Sequence, residues 1–414
     1  MATRNGFTGR LEQSFGSLKS RDFRYLIFSS GALGFGQWFQ QIGLGWLVFQ
    51  QTGSPGQMGG IAAVRGLVFL LVSPPAGILC DRMSRRFLII ASTGVAVLQA
   101  LGLAILVGSG RAELWHLYIF SMVEGAASAV NQPARQAFVY DVVEKESLTS
   151  AVTLNSVAQN LARVSGPAIA GTIIGFAGTA SVFYILVGLK ILAMLLTMLI
   201  SPRTRQVIPT HQVKPLRDMW EGLRYAWGDK AILGLVVLGI IPTLLIYPYV
   251  QFLPFFASRF GGEGEVGART YGILATGVGW GSLVGLSGLV MMGDLRAKGK
   301  VMLVAQALYP VAVALFALAG NFAMAMVFLV MAGVFNSINT TLQNTLFLLL
   351  SREEVRGRVM SLHSMTGGLQ PIGSLTMGLG IEYWGATPAI AGFMAVSIVC
   401  ILLTAALFVQ MRRA

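Results

Sequence analysis

Between two long apolar runs, 58–80 and 87–108, the chain places the ten residues GILCDRMSRR, from Gly77 to Arg86. An acid followed by three arginines, with a run of about 20 apolar residues on either side, cannot lie in hydrocarbon. The turn must sit at a membrane surface, and its positive excess assigns that surface to the cytoplasm. The same alternation of apolar run and polar break continues along the chain. Runs bounded by Gly, Pro or charged clusters give twelve spans, at 24–50, 58–80, 87–108, 114–138, 151–177, 181–201, 231–257, 270–293, 301–320, 322–349, 358–383 and 388–410.

Composition agrees with this reading. Of 414 residues, 55% are hydrophobic and only 11% charged, against roughly 25% charged in a soluble domain. The mean hydropathy is +0.70. An integral membrane protein of the helical type follows, since the short alternating segments of an outer-membrane barrel are absent. A net charge of +13 would suggest nucleic acid in a soluble chain. Here the basic residues gather in particular loops: before span one, between spans two and three, after spans six, eight and ten, and at the end of the chain. If the spans alternate, these loops share one side. Topology therefore accounts for the charge, no nucleic-acid partner is expected, and both termini are placed in the cytoplasm of a multi-pass plasma (inner) membrane protein. The two cysteines, Cys80 and Cys400, lie at or within apolar segments, which excludes a disulfide framework and a multi-cysteine metal site. No cofactor or metal is expected. The N-terminus shows no cleavable signal, so span one is expected to act as its own insertion signal.

The longest connection, 202–230, is read as a cytoplasmic linker that becomes amphipathic near Met219, Trp220, Leu223 and Trp227. It separates an N-terminal six-helix bundle, 1–201, from a C-terminal one, 231–414. The halves resemble each other. Asp81 after span two answers to Asp294 after span eight, and Asn131 answers to Asn339 at an offset of 208 that also relates Glu146 to Glu354 and Leu154 to Leu362. The expected fold is all-α, twelve transmembrane helices in two pseudo-symmetric bundles. Parallel repeats of six spans suit a transporter with its site at their interface.

Polar residues at helical spacing mark which spans face such a site. Gln37 and Gln41 lie in span one, Glu124, Ser128, Asn131 and Arg135 in span four, Asn155, Gln159 and Arg163 in span five. Thr243, Tyr247 and Gln251 lie in span seven, Asn336, Asn339 and Gln343 in span ten, and His363, Thr366 and Gln370 in span eleven. Spans three, nine and twelve have almost none and are expected to face lipid. Any single amide can be an interhelical hydrogen bond worth about 0.6 kcal/mol. As sets, the stripes favour a wet cavity, with Gln37, Gln41, Asn131, Gln159, Tyr247, Asn336, Asn339, Gln343 and Gln370 as its substrate-facing residues.

Charges at membrane depth cost roughly 2.5–3.5 kcal/mol each and are expected to pair or to work. Arg65, Glu124, Arg163 and Lys190 fall near mid-depth, and Glu124 is the only acid among them. Glu124 is therefore the candidate protonation site, with Arg163 or Arg65 as its expected neighbour; a permanent ion pair is the alternative. Lys190 stands in span six, expected to be peripheral, and is assigned to packing or snorkelling. Arg135 is read as interfacial, and Asp141 as part of a solvated loop. Three bases against one acid favour an anionic or zwitterionic cargo.

The chain resembles the major facilitator superfamily along essentially its whole length. The stretch from Gly77 to Arg86 matches that family's loop signature of glycine, small or apolar residues, Asp, Arg and further bases, with Ser84 where a glycine is usual. GPAIAG from Gly166 to Gly171 resembles the Gly-Pro motif of proton-driven antiporters, with Ala170 where a second glycine is common. NQPAR from Asn131 to Arg135 and RGRVMS from Arg356 resemble a bacterial subgroup of drug and siderophore exporters. The resemblance implies alternating access, a cytoplasmic gate of Gly77, Asp81, Arg82, Arg85, Arg86, Asp294 and Arg135, and a helix bend at Gly166, Pro167 and Gly171. It implies a secondary transporter, a proton-coupled exporter of small organic molecules, whose partners are the lipid bilayer, a small organic substrate and protons, and which works as a monomer. Uptake of a metabolite and lipid translocation stay open on the same fold. A membrane enzyme lacks a cluster of reactive residues, and a sensor lacks a soluble domain.

Overall fold

The structure is a computed structural model that describes residues 20–143, 148–201, 224, 227–262, 264–293, 297–351 and 366–408, without the side chains of Asp81, Leu148, Thr149, Val152 and Thr153. The expected linker helix around 216–227 (Arg224 and Trp227 apart), Asp294, Arg356, Arg358 and His363 lie outside the described residues. The described chain is almost entirely helical, with no strand among the described residues.

Span one is a helix over Arg21–Thr52, span two Pro55–Arg82, span three Arg85–Gly108, span four Leu114–Val142, span five Leu148–Ala177 and span six Thr179–Met198. Spans eight, nine and ten are Glu265–Met292, Lys298–Leu318 and Phe322–Leu350. Span eleven is described from Gln370–Trp384, and span twelve is Ala386–Leu407. Local chemistry sets these limits. Ser20, Ser54 and Ser84 each accept a hydrogen bond from the backbone N–H three residues on, which satisfies an otherwise orphaned donor at the helix start. Ser84, the departure from the family loop pattern, is thus the N-cap of span three. Gly53, at φ +57°, closes span one in the left-handed conformation that disfavours a side chain.

Span seven is broken. Its α-helix Lys230–Ile241 passes into a π turn at Pro242–Ile246, a 3-10 stretch at Tyr247–Phe252 and a final helix Leu253–Gly261. Pro242, Pro248 and Pro254 each remove a backbone donor, and each falls near the start of one of these pieces.

The N-terminal bundle packs span one against five and six, two against four, and three against four and six; the C-terminal bundle packs eight against ten, nine against ten and twelve, and eleven against twelve. Two seams join the bundles, span five against eight and span two against eleven. Both run on glycine. A Cβ on Gly171 would meet the Gly272 Cα at 2.6 Å, and one on Gly59 would meet the Ser374 carbonyl oxygen at 2.5 Å. Close backbone approach of this kind drives helix association where lipid offers no hydrophobic force. Span five continues as a helix through Gly166 and Pro167, and Gly166 lies against Trp38.

Eight of the helices are long and apolar enough to cross a membrane unaided. Spans one, four and five, which carry more polar residues, fall short, and all three contribute to the cavity described next. Two spans expected to be bland are not. Span three buries Ser92, Thr93 and Gln99, and span nine buries Gln306, whose Nε2 donates to the Leu238 carbonyl at 2.6 Å.

Candidate functional site

Between the bundles lies a cavity of about 850 Å³. It reaches towards the end of the molecule that carries Arg82, Arg85 and Arg86, here the basic face, through Gln136 and Val139 near the end of span four and Asn155 near the start of span five. In the middle of span one, Gln37 is exposed on its wall. The opposite, or far, face is filled by rings. Trp46 stacks near Tyr271 at 6.3 Å between centroids, Phe49 meets Phe255 edge-on at 5.0 Å, and Tyr249, Phe252, Phe256 and Phe316 are buried behind them. Aromatic packing therefore closes the cavity at the far face.

The charged residues on the cavity wall are Arg65, Glu124, Arg135 and Lys190. Lys190 Nζ donates to Glu124 Oε2 at 2.8 Å and to Gln40 Oε1 at 3.0 Å, and Ser128 Oγ donates to the other carboxylate oxygen at 3.2 Å. The pair is well shielded, the two side chains being 5% and 12% exposed. The neighbour of Glu124 is thus Lys190, where Arg163 or Arg65 was expected. Span six packs against spans one and three, so its inner face looks between them towards span four. The long lysine side chain crosses that gap, and the peripheral role drawn for Lys190 is corrected. Arg65 lines the cavity within electrostatic reach of Glu124. Arg163 is exposed, is not among the cavity-lining residues, and lies within electrostatic reach of Tyr247, Tyr249 and Tyr309 in the other bundle. Its place at the crossing of spans five and eight, where its carbonyl approaches Gly279, turns it away from Glu124.

Arg135 also differs from its expected place. Its Nη1 donates to Ser29 Oγ at 3.1 Å and Ser30 Oγ at 3.3 Å, and its Nε to Asn131 Oδ1 at 3.4 Å. Asn131 Nδ2 in turn donates to Ser92 Oγ at 2.8 Å and Thr93 Oγ1 at 3.0 Å. Gln159 Nε2 donates to the Ser30 carbonyl at 3.1 Å. The guanidinium is a cavity-wall group held by neutral partners, not an interfacial one. Span three supplies two of the hydroxyls that hold this network, while its opposite face, with Leu98 and Ile105, stays exposed as expected of a lipid-facing span.

Of the expected substrate-facing residues, Gln37, Gln41, Asn131, Gln159 and Gln370 line the cavity. Tyr247, Asn336, Asn339 and Gln343 do not. The stripe of span ten turns into its own bundle: Gln343 Nε2 donates to the Leu235 carbonyl at 2.9 Å, Thr340 Oγ1 donates to the Asn336 carbonyl, and Asn339 is fully buried with neither amide atom hydrogen-bonded among the described residues. Tyr247 faces Tyr309 at 6.1 Å between ring centroids. The C-terminal bundle contributes Gln251, Tyr271, Ser374 and the start of span eleven instead, with Gln251 Nε2 donating to Ser374 Oγ at 2.9 Å.

At the basic face, Arg85 Nη1 donates to Asp141 Oδ1 at 2.7 Å, and the Asp141 carboxylate is only 2% exposed. Asp141 is therefore a buried partner within the N-terminal bundle and no part of a solvated loop. Arg86 Nη2 donates to the Met198 carbonyl at 2.6 Å, while Gly77 and Arg82 stand at the end of span two. These arginines tie spans three, four and six together. Among the described residues, no group of three or more His, Cys, Asp or Glu side chains is arranged to hold a metal.

A family model described as transmembrane secretion effector (MFS_3) matches residues 12–414. The staphyloferrin A transporter of Staphylococcus aureus is 26% identical over 386 residues, covering 91% of this chain and 94% of that protein. The enterobactin exporter EntS of Shigella boydii is 23% identical over 368 residues, covering 87% of this chain and 86% of its own length. Among solved structures, the nucleoside transporter NupG superposes with a TM-score of 0.76 at 14% identity, covering 94% of this chain and 99% of that one. At that identity the likeness establishes the fold alone. The chain belongs to the transmembrane secretion effector family of the major facilitator superfamily, a family of multi-pass membrane transporters.

Proposed function

We propose that this transporter is a proton-coupled exporter of small organic anions, working by alternating access with its basic face in the cytoplasm. The observation that carries the reading is the Lys190–Glu124 pair, a shielded acid and base in the wall of a cavity between two bundles. A proton delivered to Glu124 would remove the negative partner of Lys190 and leave that ammonium with Gln40. The two states of the pair then differ in energy between conformations, which is all that a coupling ion needs to bias an equilibrium.

The cargo class rests on the charges of the wall. Lys190 is answered by Glu124, whereas Arg65 is in no ion pair among the described residues and Arg135 is held by serines and Asn131. Two guanidiniums without a carboxylate partner among the described residues favour a carboxylate or another planar anion, which arginine binds with two parallel hydrogen bonds. Relatives named for staphyloferrin A and enterobactin support a siderophore or a molecule of similar size. An organic anion leaving the cell also runs down an inside-negative potential, at about 2.3 kcal/mol per charge per 100 mV. By charge alone, a proton on Glu124 and an anion beside Arg65 assist each other. Exchange therefore depends on the pair selecting which face is open, and not on competition for one site.

Proteoliposomes with an imposed pH gradient and a panel of carboxylate, catecholate, neutral and cationic solutes test the reading. Gradient-dependent movement of anionic solutes, with matching proton flux, is expected. Gradient-driven movement confined to cations, or movement of anions with no proton flux at any imposed gradient, would overturn it.

A further inference from the structure

Both seams between the bundles end, at the far face, in one charged side chain of the C-terminal bundle placed on a helix end of the N-terminal bundle. On the seam of spans two and eleven, Glu382 Oε2 accepts hydrogen bonds from Ser54 Oγ and from the Gly56 backbone N–H, each at 2.7 Å. Those donors are the N-cap and second residue of span two. Ser54 Oγ does two things at once: it accepts from the Gln57 N–H at 3.2 Å and donates a hydrogen bond to Glu382. A Cβ on Gly56 would meet the Glu382 carboxylate oxygen at 2.7 Å, so the carboxylate would have to shift from this place in any larger residue's presence.

On the seam of spans five and eight, Arg269 Nη2 donates to the Gly175 carbonyl at 3.1 Å, in the last turn of span five, and its guanidinium lies 3.7 Å from the centroid of the Phe176 ring. Its Glu265 neighbour, one turn earlier, stands at 3.9 Å and is largely exposed, so the helix end and the ring are its closer partners. A carboxylate sits at a helix N-terminus and a guanidinium at a helix C-terminus, which is the favourable sense of the helix dipole in both cases.

We propose that Glu382 and Arg269 form a two-seam clasp that holds the far face closed, and that its release is the step that admits the outward-facing state. They are positioning residues: neither lines the cavity, and each acts by fixing the two bundles together at its seam. The inference goes beyond the proposed coupling and cargo and rests only on alternating access. Spans two and eleven run antiparallel, so Glu382 and Asp81 stand at opposite ends of one helix pair. Rocking that parts the Glu382 end brings the Asp81 end of span two towards span eleven. The outer clasp and the inner latch read at Asp81 thereby exclude each other in a single motion.

The test needs neither substrate nor proton, so it can fail independently of the coupling reading. In a Cys80→Ser, Cys400→Ser background, spin labels at Ser109→Cys and Gly320→Cys report the separation of the bundles at the far face by electron paramagnetic resonance. Glu382→Gln and Arg269→Gln are each expected to raise the long-distance population about tenfold, the weight of one charge-assisted hydrogen bond. The double variant should raise it further, and Arg269→Lys, which keeps the charge, should stay near the parent distribution. Thermal unfolding in detergent should change little in the same variants. Distance distributions unchanged in the double variant, or a fall in unfolding temperature with no shift in distance, would overturn the clasp.

Discussion

Span four and span ten occupy matching places in a repeated fold, and each carries a polar stripe at helical spacing, yet the stripes do opposite work. Asn131 of span four stands on the cavity wall, hydrogen-bonded to Ser92, Thr93 and Arg135, two turns along the helix from an ion-paired Glu124 and its Ser128 neighbour. Its repeat mate Asn339 is fully buried within the C-terminal bundle, and Gln343 beside it bonds to the backbone of span seven. The N-terminal bundle therefore supplies the wall's charge, and the C-terminal bundle supplies packing, the wall amides Gln251 and Gln370, and Glu382 and Arg269 at the far face. Duplication preserved the frame while the chemistry gathered on one side.

That asymmetry can be broken in several ways. The largest effect is expected from Lys190→Met. Removing one partner of a shielded pair leaves a carboxylate at membrane depth, at a cost of about 3–5 kcal/mol. Thermal unfolding in detergent should fall sharply and transport should be lost. Adding Glu124→Gln to Lys190→Met should recover much of the unfolding temperature without recovering proton-driven transport. Next comes Asn131→Leu, which takes away the Arg135 Nε acceptor and two hydroxyl contacts. A loss of about 1–3 kcal/mol is expected for the unsatisfied groups left behind, together with weaker uptake of substrate into the cavity. Gln343→Leu should cost about 1 kcal/mol through one lost hydrogen bond and leave the apparent KM for substrate unchanged. The smallest effect belongs to Asn339→Leu. An amide with no hydrogen bond in a buried site contributes nothing by polarity, so its replacement should be neutral or stabilising in the same unfolding assay. A large transport defect in Asn339→Leu, with folding intact, would show that span ten carries chemistry after all.

Much of this arrangement was legible in the residues. The Asp81 to Arg86 turn, the basic loops and the apolar runs set the spans, and of the stripes of spans one, four, five and eleven, Gln37, Gln41, Glu124, Ser128, Asn131, Arg135, Asn155, Gln159 and Gln370 stand on the cavity wall while Arg163 and Thr366 do not. What periodicity cannot say is which neighbour a polar face meets. The stripe of span ten has the same spacing as that of span four, and only packing turns Gln343 towards Leu235. Lys190 was visible as a mid-depth base, but its partner lies 66 residues away on another helix, and nothing in the local pattern of span six points to span four. Span three was judged by how few polar residues it has. Ser92 and Thr93 are small hydroxyls in an apolar run, and they matter because Asn131 needs acceptors there. Asp141 sat among other acids near a span end, where solvation is the usual outcome, and the Arg85 side chain reaches it from the next helix.

The central claim is that the Lys190–Glu124 pair couples protons to transport. Initial rates of gradient-driven transport and of substrate counterflow without a gradient, measured side by side for the parent and Glu124→Gln, test it most directly. Counterflow should persist in the variant, because the cavity and both arginines remain, while acceleration by the pH gradient and its accompanying proton flux should vanish. Gradient-driven transport and proton flux at the parent's level in Glu124→Gln would contradict the account.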